Sequence, residues 1–195
     1  MSVLNISSKK LIVGAAIPMA VVASGAMVWQ SSYSAFSATT ASPTNNWSAG
    51  TVALSDDDSN TAMFTASNLK PGATGTKCIA VTSTGSLAST VKLYGTNYDT
   101  TNGLAGNINL KIEEGTGATT ASCTGFTGAS TLYDGAMSTF GTTKTSFATG
   151  VSSWAPTGGT ATKSYRITYT LNAGTPDSAQ GGTAALGFTW ESQNS

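Results

Sequence analysis

The sequence predicts an all-β fold, a sandwich of two packed sheets that follows an apolar N-terminal segment. Short runs rich in Val, Ile, Thr, Tyr, Phe and Trp recur between clusters of Gly, Ser, Asn and Asp, which is typical of strands separated by turns. Several of these runs alternate apolar and polar residues with a period of two. The 195 residues suit a single domain, and only 9% are charged, which excludes a charge-rich disordered chain.

The N-terminal segment has the order of a secretory signal within residues 1–35. A polar start ends in Lys9 and Lys10, an apolar stretch follows at 11–29, and a zone of small residues comes next. We therefore expect an N-terminal signal helix that directs export. The alternative is a retained membrane anchor, because the apolar stretch approaches the length of a membrane span.

Small residues place the expected cleavage between Ala35 and Phe36, or after Ser37. A signal peptidase would then be a transient partner, and no stable membrane anchor would remain. The product would be secreted, into the extracellular matrix or onto the cell surface. The predicted organisation is a signal peptide at 1–35, an extended arm at 36–46 and a β-sandwich domain at 47–195.

Turn-forming residues divide the exported part into short strands. Pro71 and Gly72 suit a tight turn, because proline fixes φ and glycine tolerates positive φ. The clearest alternation places Ile108, Leu110 and Ile112 on one inward face. Seven or eight strands are expected, and the runs that indicate them lie at 47–54, 62–66, 76–83, 89–95, 107–114, 163–171 and 182–191.

The region at 115–160 is rich in Gly, Thr and Ser and is only weakly periodic. One interpretation is a long loop that aromatic side chains pin to the sandwich, and the other is a surface of stacking aromatics. Residues 129–149 would also accommodate a helical turn. The aromatic residues concerned are Phe126, Tyr133, Phe140, Phe147 and Trp154.

Cys78 and Cys123 are the only cysteines, so an intramolecular disulfide has one possible connectivity. Outside the cell such a bond persists. It would close a loop of about 45 residues and stabilise the fold by roughly 4 kcal/mol. The alternative is two buried free thiols. No C-x-x-C motif is present, so a redox-active pair is not indicated.

The chain contains no histidine. Zinc hydrolases commonly use His ligands, and Ser or Cys nucleophiles are commonly activated by His. Glu113 and Glu114 are adjacent in a predicted strand, so they point to opposite faces of a solvated strand end and cannot form an acid–base pair. We therefore expect no catalytic residue, no enzymatic activity and no cofactor.

Three consecutive acidic residues, Asp56, Asp57 and Asp58, precede Asn60 in a predicted turn. Their oxygens could bind Ca²⁺, but the spacing does not match an EF-hand loop. A solvated turn is the favoured interpretation, and no metal ligand is assigned. Basic residues do not cluster with aromatic ones, and the part after the apolar stretch carries seven basic and nine acidic residues, so no nucleic-acid partner is expected.

Several motifs occur together in a specific order. A signal led by Lys-Lys is followed by W-S-A-G-T-V-A-L at 47–54, N-L-K-P-G at 68–72, G-S-L at 85–87 and L-G-F-T-W-E at 186–191. With this set the chain resembles the TasA/camelysin family of Gram-positive bacteria, whose members leave the cell through a signal peptidase of the SipW type. The resemblance covers most of the chain and is poor at 115–160.

The resemblance implies a jelly-roll-like sandwich that assembles into biofilm-matrix fibres. In such fibres the mature N-terminal segment of one subunit adds a strand to the sheet of the next. The contact is head-to-tail and does not close, so the partner would be a further copy of this chain. The donor arm would comprise Phe36, Ser37, Ala38, Thr39, Thr40 and Ala41.

Two other functions compete with a fibre protein. Camelysin relatives are described as metallopeptidases, so an exported metallopeptidase is the first alternative. The second is a monomeric surface adhesin or binding module that uses the region at 115–160. Both would share the export signal and the sandwich.

Overall fold

The alternating runs of the sequence form nine strands in the computed structural model, which describes residues 37–40, 52–59, 62–64 and 68–194. Within these ranges one short α-helix and three 3₁₀ turns join the strands. The strands are β1 (Ser37–Thr40), β2 (Leu54–Asp56), β3 (Thr74–Ser83), β4 (Ser89–Thr100), β5 (Ile108–Thr116), β6 (Thr127–Ala136), β7 (Val151–Trp154), β8 (Ala161–Leu171) and β9 (Ala184–Asn194). The helix is α1 (Met137–Thr143), and the turns are Leu104–Gly106, Phe147–Thr149 and Asp177–Ala179.

The strands are arranged in two antiparallel sheets. One sheet has the order β1-β9-β4-β7 and the other the order β2-β3-β8-β5-β6. Most neighbours are distant in sequence: Thr74 pairs with Thr170, and Ser89 pairs with Asn194. The predicted all-β sandwich of two sheets is thereby confirmed, whereas the jelly-roll detail stays a prediction.

Apolar side chains from both sheets form the core between them. Ile108, Leu110 and Ile112 of β5 are all buried, as their alternation predicts. Leu93 of β4 belongs to the same core, as does Phe140 of α1. Full burial of one such side chain is worth ~1.5–3 kcal/mol, so this alternation supplies much of the driving force for folding.

The first two predicted strands differ from the structure. The strand predicted at 47–54 overlaps β2 only at Leu54, and its residues 47–51 lie outside the described part. Residues 62–64 of the second predicted strand are not in a strand. Met63 and Phe64 instead pack against the core, where the ring of Phe64 meets that of Tyr169 edge-on at 5.2 Å between centroids.

The region at 115–160 contains β6, α1 and β7 rather than a single long loop. The poor helix formers of α1 are held by packing, because Phe140 is fully buried and contacts the rings of Tyr133 and Phe188. Gly141 leaves room for the ring of Tyr98, which a β-carbon would strike. The burial of Phe140 and Trp154 is inconsistent with an exposed stacking surface.

The predicted signal at 1–35 and its cleavage site between Ala35 and Phe36 lie outside the described residues, as does Ala41 at the end of the predicted donor segment. Among the helices that the structure describes, none is long and apolar enough to span a membrane. Export and the division into signal, arm and domain therefore stay predictions.

Candidate functional site

The predicted donor segment forms an edge strand in the part of it that the structure describes. β1 pairs antiparallel with β9, with Ser37 opposite Gln193 and Thr40 opposite Trp190. Ala38 lies opposite Ser192, and Thr39 opposite Glu191. The four residues are thus extended and are bound to the sheet of their own chain.

The strand that receives β1 is held firmly on its other side. β9 pairs with β4 along most of the length of both strands, with one irregularity between Thr96 and Asp99. Its inward side chains Trp190 and Ser192 are buried beneath the pairing with β1. β9 is therefore held in place by contacts other than those with β1.

The pairing of β1 with β9 is short, since it covers four residues. Its residues Ser37, Ala38, Thr39 and Thr40 are small. A backbone hydrogen bond contributes roughly 1 kcal/mol net, so a four-residue edge strand is bound weakly. Edge strands with open backbone groups are also the usual templates for pairing with another chain.

The two cysteines form a disulfide on the outer face of the five-stranded sheet. Cys78 of β3 is bonded to Cys123, and their Cα atoms are 5.3 Å apart. Cys78 is fully buried because the loop at 117–126 folds over it. The same loop is held by Ala118, whose N–H donates to Ser164 Oγ while that hydroxyl donates to the Ala118 carbonyl.

Asp57 joins this loop to β3. Its Oδ1 accepts the Ala80 N–H at 2.8 Å, and its Oδ2 accepts the Thr120 N–H at 2.8 Å. The Thr120 hydroxyl donates to the same carboxylate. Partial burial opposes ionisation, but these hydrogen bonds outweigh it and hold the pKa of Asp57 below its ordinary value. Asp57 is thus a structural acceptor rather than a merely solvated turn residue.

The neighbouring carboxylates form a separate pair. Burial and a hydrogen bond with Asp58 raise the pKa of Asp56 to about 6. The described residues contain no group of three Cys, Asp or Glu side chains placed to hold a metal ion. Asn60, the fourth member of the calcium hypothesis, lies outside them.

Glu113 and Glu114 point to opposite faces of β5, as their adjacency predicts. On the outer face Glu113 accepts from Arg166 Nε at 2.8 Å and lies 3.3 Å from Lys111 Nζ. These cations lower the pKa of Glu113, with burial opposing them. On the inner face Glu114 is buried, so the prediction of a solvated strand end is wrong for this residue.

Glu114 connects the two sheets. Its Oε2 accepts from Ser152 Oγ of β7 at 2.5 Å, and its Oε1 lies 3.5 Å from Lys163 Nζ. Ser152 has a φ of 78° and sits at a β-bulge, where the register between β4 and β7 shifts. The carbonyl of Ser152 also accepts from Lys92 Nζ at 2.6 Å.

A model of the camelysin metallo-endopeptidase family matches residues 8–110, more than half of the chain. The chain belongs to this family. The camelysin match spans β1 to β4 and enters β5, so Cys78 lies inside it while Cys123, Ser152 and β9 lie beyond it. No curated protein matches the chain.

The metal that the name of the camelysin family implies does not fit the donors of this chain. Histidine is absent from the sequence, and the thiols of Cys78 and Cys123 are consumed by the disulfide. The acidic residues of the described part are dispersed over the fold. Asp56, Asp57 and Asp58 lie at the end of β2 and in the turn after it, and Glu113 and Glu114 lie on opposite faces of β5. The others lie on separate elements, β4, β6, the turn at Asp177–Ala179 and β9, and are Asp99, Asp134, Asp177 and Glu191. Zinc in proteins is bound by His, thiolate and carboxylate groups gathered at one point.

Proposed function

We propose that this camelysin-family protein is a secreted structural protein whose copies assemble into extracellular or cell-surface fibres. The mature N-terminal arm of one copy would pair with β9 of the next. The observation that carries the proposal is the position of β1, a weakly bound edge strand on the edge of β9.

Pairing of the arm with a neighbouring copy needs no new kind of contact, because the edge of β9 is the same in every copy. An arm that leaves its own β9 and binds that of a neighbour keeps the backbone bonds that it had, as in domain swapping. The pairing within one chain is favoured by its high effective concentration. Assembly therefore requires a high protein concentration or a subunit contact that adds to the strand pairing.

The test compares three forms of the mature protein by electron microscopy and light scattering. The form that starts at residue 36 should give filaments, whereas the form that starts at residue 47 should stay monomeric. In the third form, Ser37→Cys and Gln193→Cys place a cysteine pair at opposed positions of β1 and β9. When oxidised, this lock should hold the arm on its own sheet and prevent filaments.

Three results would contradict the proposal. One is identical filaments from the form that lacks the arm, and another is filament formation by the locked form. A mature form with its arm that remains monomeric at every concentration would contradict it as well. The locked form after mild reduction serves as its own matched control, provided that the Cys78–Cys123 bond stays intact.

The family name favours a second candidate, an exported metallopeptidase. With no His in the sequence, its metal would need ligands from carboxylates and hydroxyls alone. Degradation of a protein substrate by the purified chain, abolished by a chelator and restored by a divalent metal, would establish this activity. We expect no such activity.

A further inference from the structure

Polar side chains occupy one end of the space between the sheets, in contrast to the apolar core beside them. These side chains project from strands of both sheets, from β4, β7 and β9 of one sheet and from β5 and β8 of the other. All are buried. This inter-sheet polar cluster consists of Ser89, Glu114, Ser152, Tyr165, Trp190 and Ser192.

Two members of the inter-sheet polar cluster are joined by a hydrogen bond. Glu114 accepts from Ser152, whose Oγ in turn accepts the Trp154 N–H at 3.2 Å. The other carboxylate oxygen of Glu114 faces the ammonium of Lys163. Glu114 is therefore paired at one side of the cluster.

The remaining four members each carry a buried polar atom without a partner. These atoms are Ser89 Oγ, Tyr165 OH, Trp190 Nε1 and Ser192 Oγ, and none forms a hydrogen bond of ordinary geometry within the described part of the protein. Ser152 and Trp190 lie near enough to the Tyr165 hydroxyl to oppose the rise of its pKa, but neither is placed for a well-aligned hydrogen bond to it. The four side chains are at most 2% exposed. Native proteins rarely bury so many unsatisfied polar atoms in one place, because each loses its hydrogen bonds to water.

The four residues are neighbours across the two sheets. The rings of Tyr165 and Trp190 are 5.3 Å apart between centroids. Ser192 is opposite Val91, and Ser89 is opposite Asn194, so the two serines are diagonal neighbours on one inward face. In the five-stranded sheet, which faces these serines, Tyr165 of β8 pairs with Glu114 of β5.

Their chemistry is suited to a water molecule shared between them. The indole of Trp190 can only donate, whereas the hydroxyls of Ser89, Ser192 and Tyr165 can both donate and accept. Burial raises the pKa of Tyr165, so its hydroxyl keeps its proton at neutral pH. A water molecule accepts from an N–H and exchanges hydrogen bonds with several hydroxyls, which is how buried waters satisfy such groups.

We propose that the inter-sheet polar cluster is a binding site for ordered water, which bridges Tyr165 and Trp190 and satisfies Ser89 and Ser192. These waters join the two sheets beside the bond between Glu114 and Ser152. They occupy the interior directly beneath the stretch of β9 that pairs with β1. The site is independent of whether the protein forms fibres.

Oxygen-17 relaxation dispersion tests this site by counting water molecules that stay bound to the purified protein for long times. Tyr165→Phe and Ser192→Ala each remove one hydroxyl and little else. We expect each to lower the number of long-lived waters and to lower the melting temperature by ~2–4 °C, since a bridging water loses a partner. Ser192→Ala is the milder change and suffices if Tyr165→Phe does not fold.

Tyr94→Phe is the matched control. Its hydroxyl donates to Glu191 at 2.8 Å, so its loss should weaken the fold without changing the number of long-lived waters. A dry cluster would give the opposite pattern, because removal of an unsatisfied buried hydroxyl then raises the melting temperature. No long-lived water in the unaltered protein, or a count that Tyr165→Phe and Ser192→Ala leave unchanged, would overturn the proposal.

Discussion

Ser152 combines an unusual backbone conformation with a bond that crosses the sandwich. Its φ of 78° lies in the left-handed region, which side chains other than glycine rarely adopt. The bulge that requires this conformation also turns the serine hydroxyl towards Glu114. The backbone strain is thus offset by a charge-assisted hydrogen bond between the sheets.

We expect Ser152→Ala to destabilise the fold by about 2 kcal/mol, because the Glu114 carboxylate stays buried and loses a donor. The measurement is the midpoint of denaturant-induced unfolding. Ser130→Ala is the matched control, since this serine of β6 is exposed, and its effect should stay within about 0.5 kcal/mol. Equal effects of the two substitutions would show that the inter-sheet bond does not stabilise the fold.

Asp56 should make the protein less stable as the pH rises. The pKa of Asp56 is about 6 in the folded protein and 3.8 ordinarily. The carboxyl group therefore does not lower the free energy of unfolding below pH 3.8, lowers it progressively as the pH rises from 3.8 to 6, and lowers it by the full amount above pH 6. Asp56→Asn should therefore stabilise the fold at pH 7, by less than ~1 kcal/mol because the group is partly solvated. The gain should vanish near pH 4.

Thermal unfolding of both forms between pH 4 and pH 7 measures this effect. Asp57→Asn is the contrasting control, because the pKa of Asp57 is lowered. Asp57 therefore stabilises the fold above the pKa that it has in the unfolded chain, and this stabilisation is lost as the pH falls through its pKa in the folded protein. A pH-independent difference between Asp56→Asn and the unaltered protein would contradict the expected titration.

Sequence reasoning placed Glu113 and Glu114 on opposite faces, because adjacent residues of a strand always alternate. It did not find that Glu114 is buried. The reason lies in its partner, since Ser152 is 38 residues further along and in the other sheet. Nothing in the local pattern at either residue signals this pairing.

Whole elements were predictable where the alternation was regular and obscured where it was interrupted. β5 and β8 were found from their apolar periodicity. β6 was missed because two register shifts along its pairing with β5 break the period of two. β7 was missed because it has four residues and contains the bulge at Ser152.

The loop at 117–126 depends on its anchors, so loss of the disulfide should loosen it. The double substitution Cys78→Ala with Cys123→Ala should lower the free energy of unfolding by about 4 kcal/mol, the value for a loop of this length. Hydrogen exchange should accelerate at the Ala118 and Thr120 amides, which donate to Ser164 and Asp57.

The amides between β4 and β9 are the internal control for that exchange experiment. They lie in the other sheet and should keep their relative protection after correction for the lower global stability. If the Ala118 and Thr120 amides accelerate no more than the amides between β4 and β9, the bond acts only through the global stability and does not hold the loop at 117–126.

At the scale of the whole molecule, a subunit without its arm can accept a strand but cannot donate one. We therefore expect the form that starts at residue 47 to terminate filaments of the form that starts at residue 36. Mean filament length, measured by electron microscopy, should fall as the fraction of the truncated form rises. The oxidised Ser37→Cys, Gln193→Cys form is the control, because its acceptor edge is occupied and it should leave the length unchanged.

The two-sheet sandwich itself was predictable from composition and alternation, but its connectivity was not. The pairing of β3 with β8 joins Ser83 to Ala161, and that of β4 with β9 joins Ser89 to Asn194. Partners so far apart leave no mark on the local sequence. The position of β1 on β9 could be found only once both sheets were assembled.

This topology also sets an order of events during synthesis. β1 is made well before β9, which carries its partner residues Trp190 and Gln193. A nascent chain therefore carries its N-terminal arm without an internal acceptor until β9 has emerged. Newly made chains that lie close together would pass through an interval in which the arm of one can reach only the finished β9 of another.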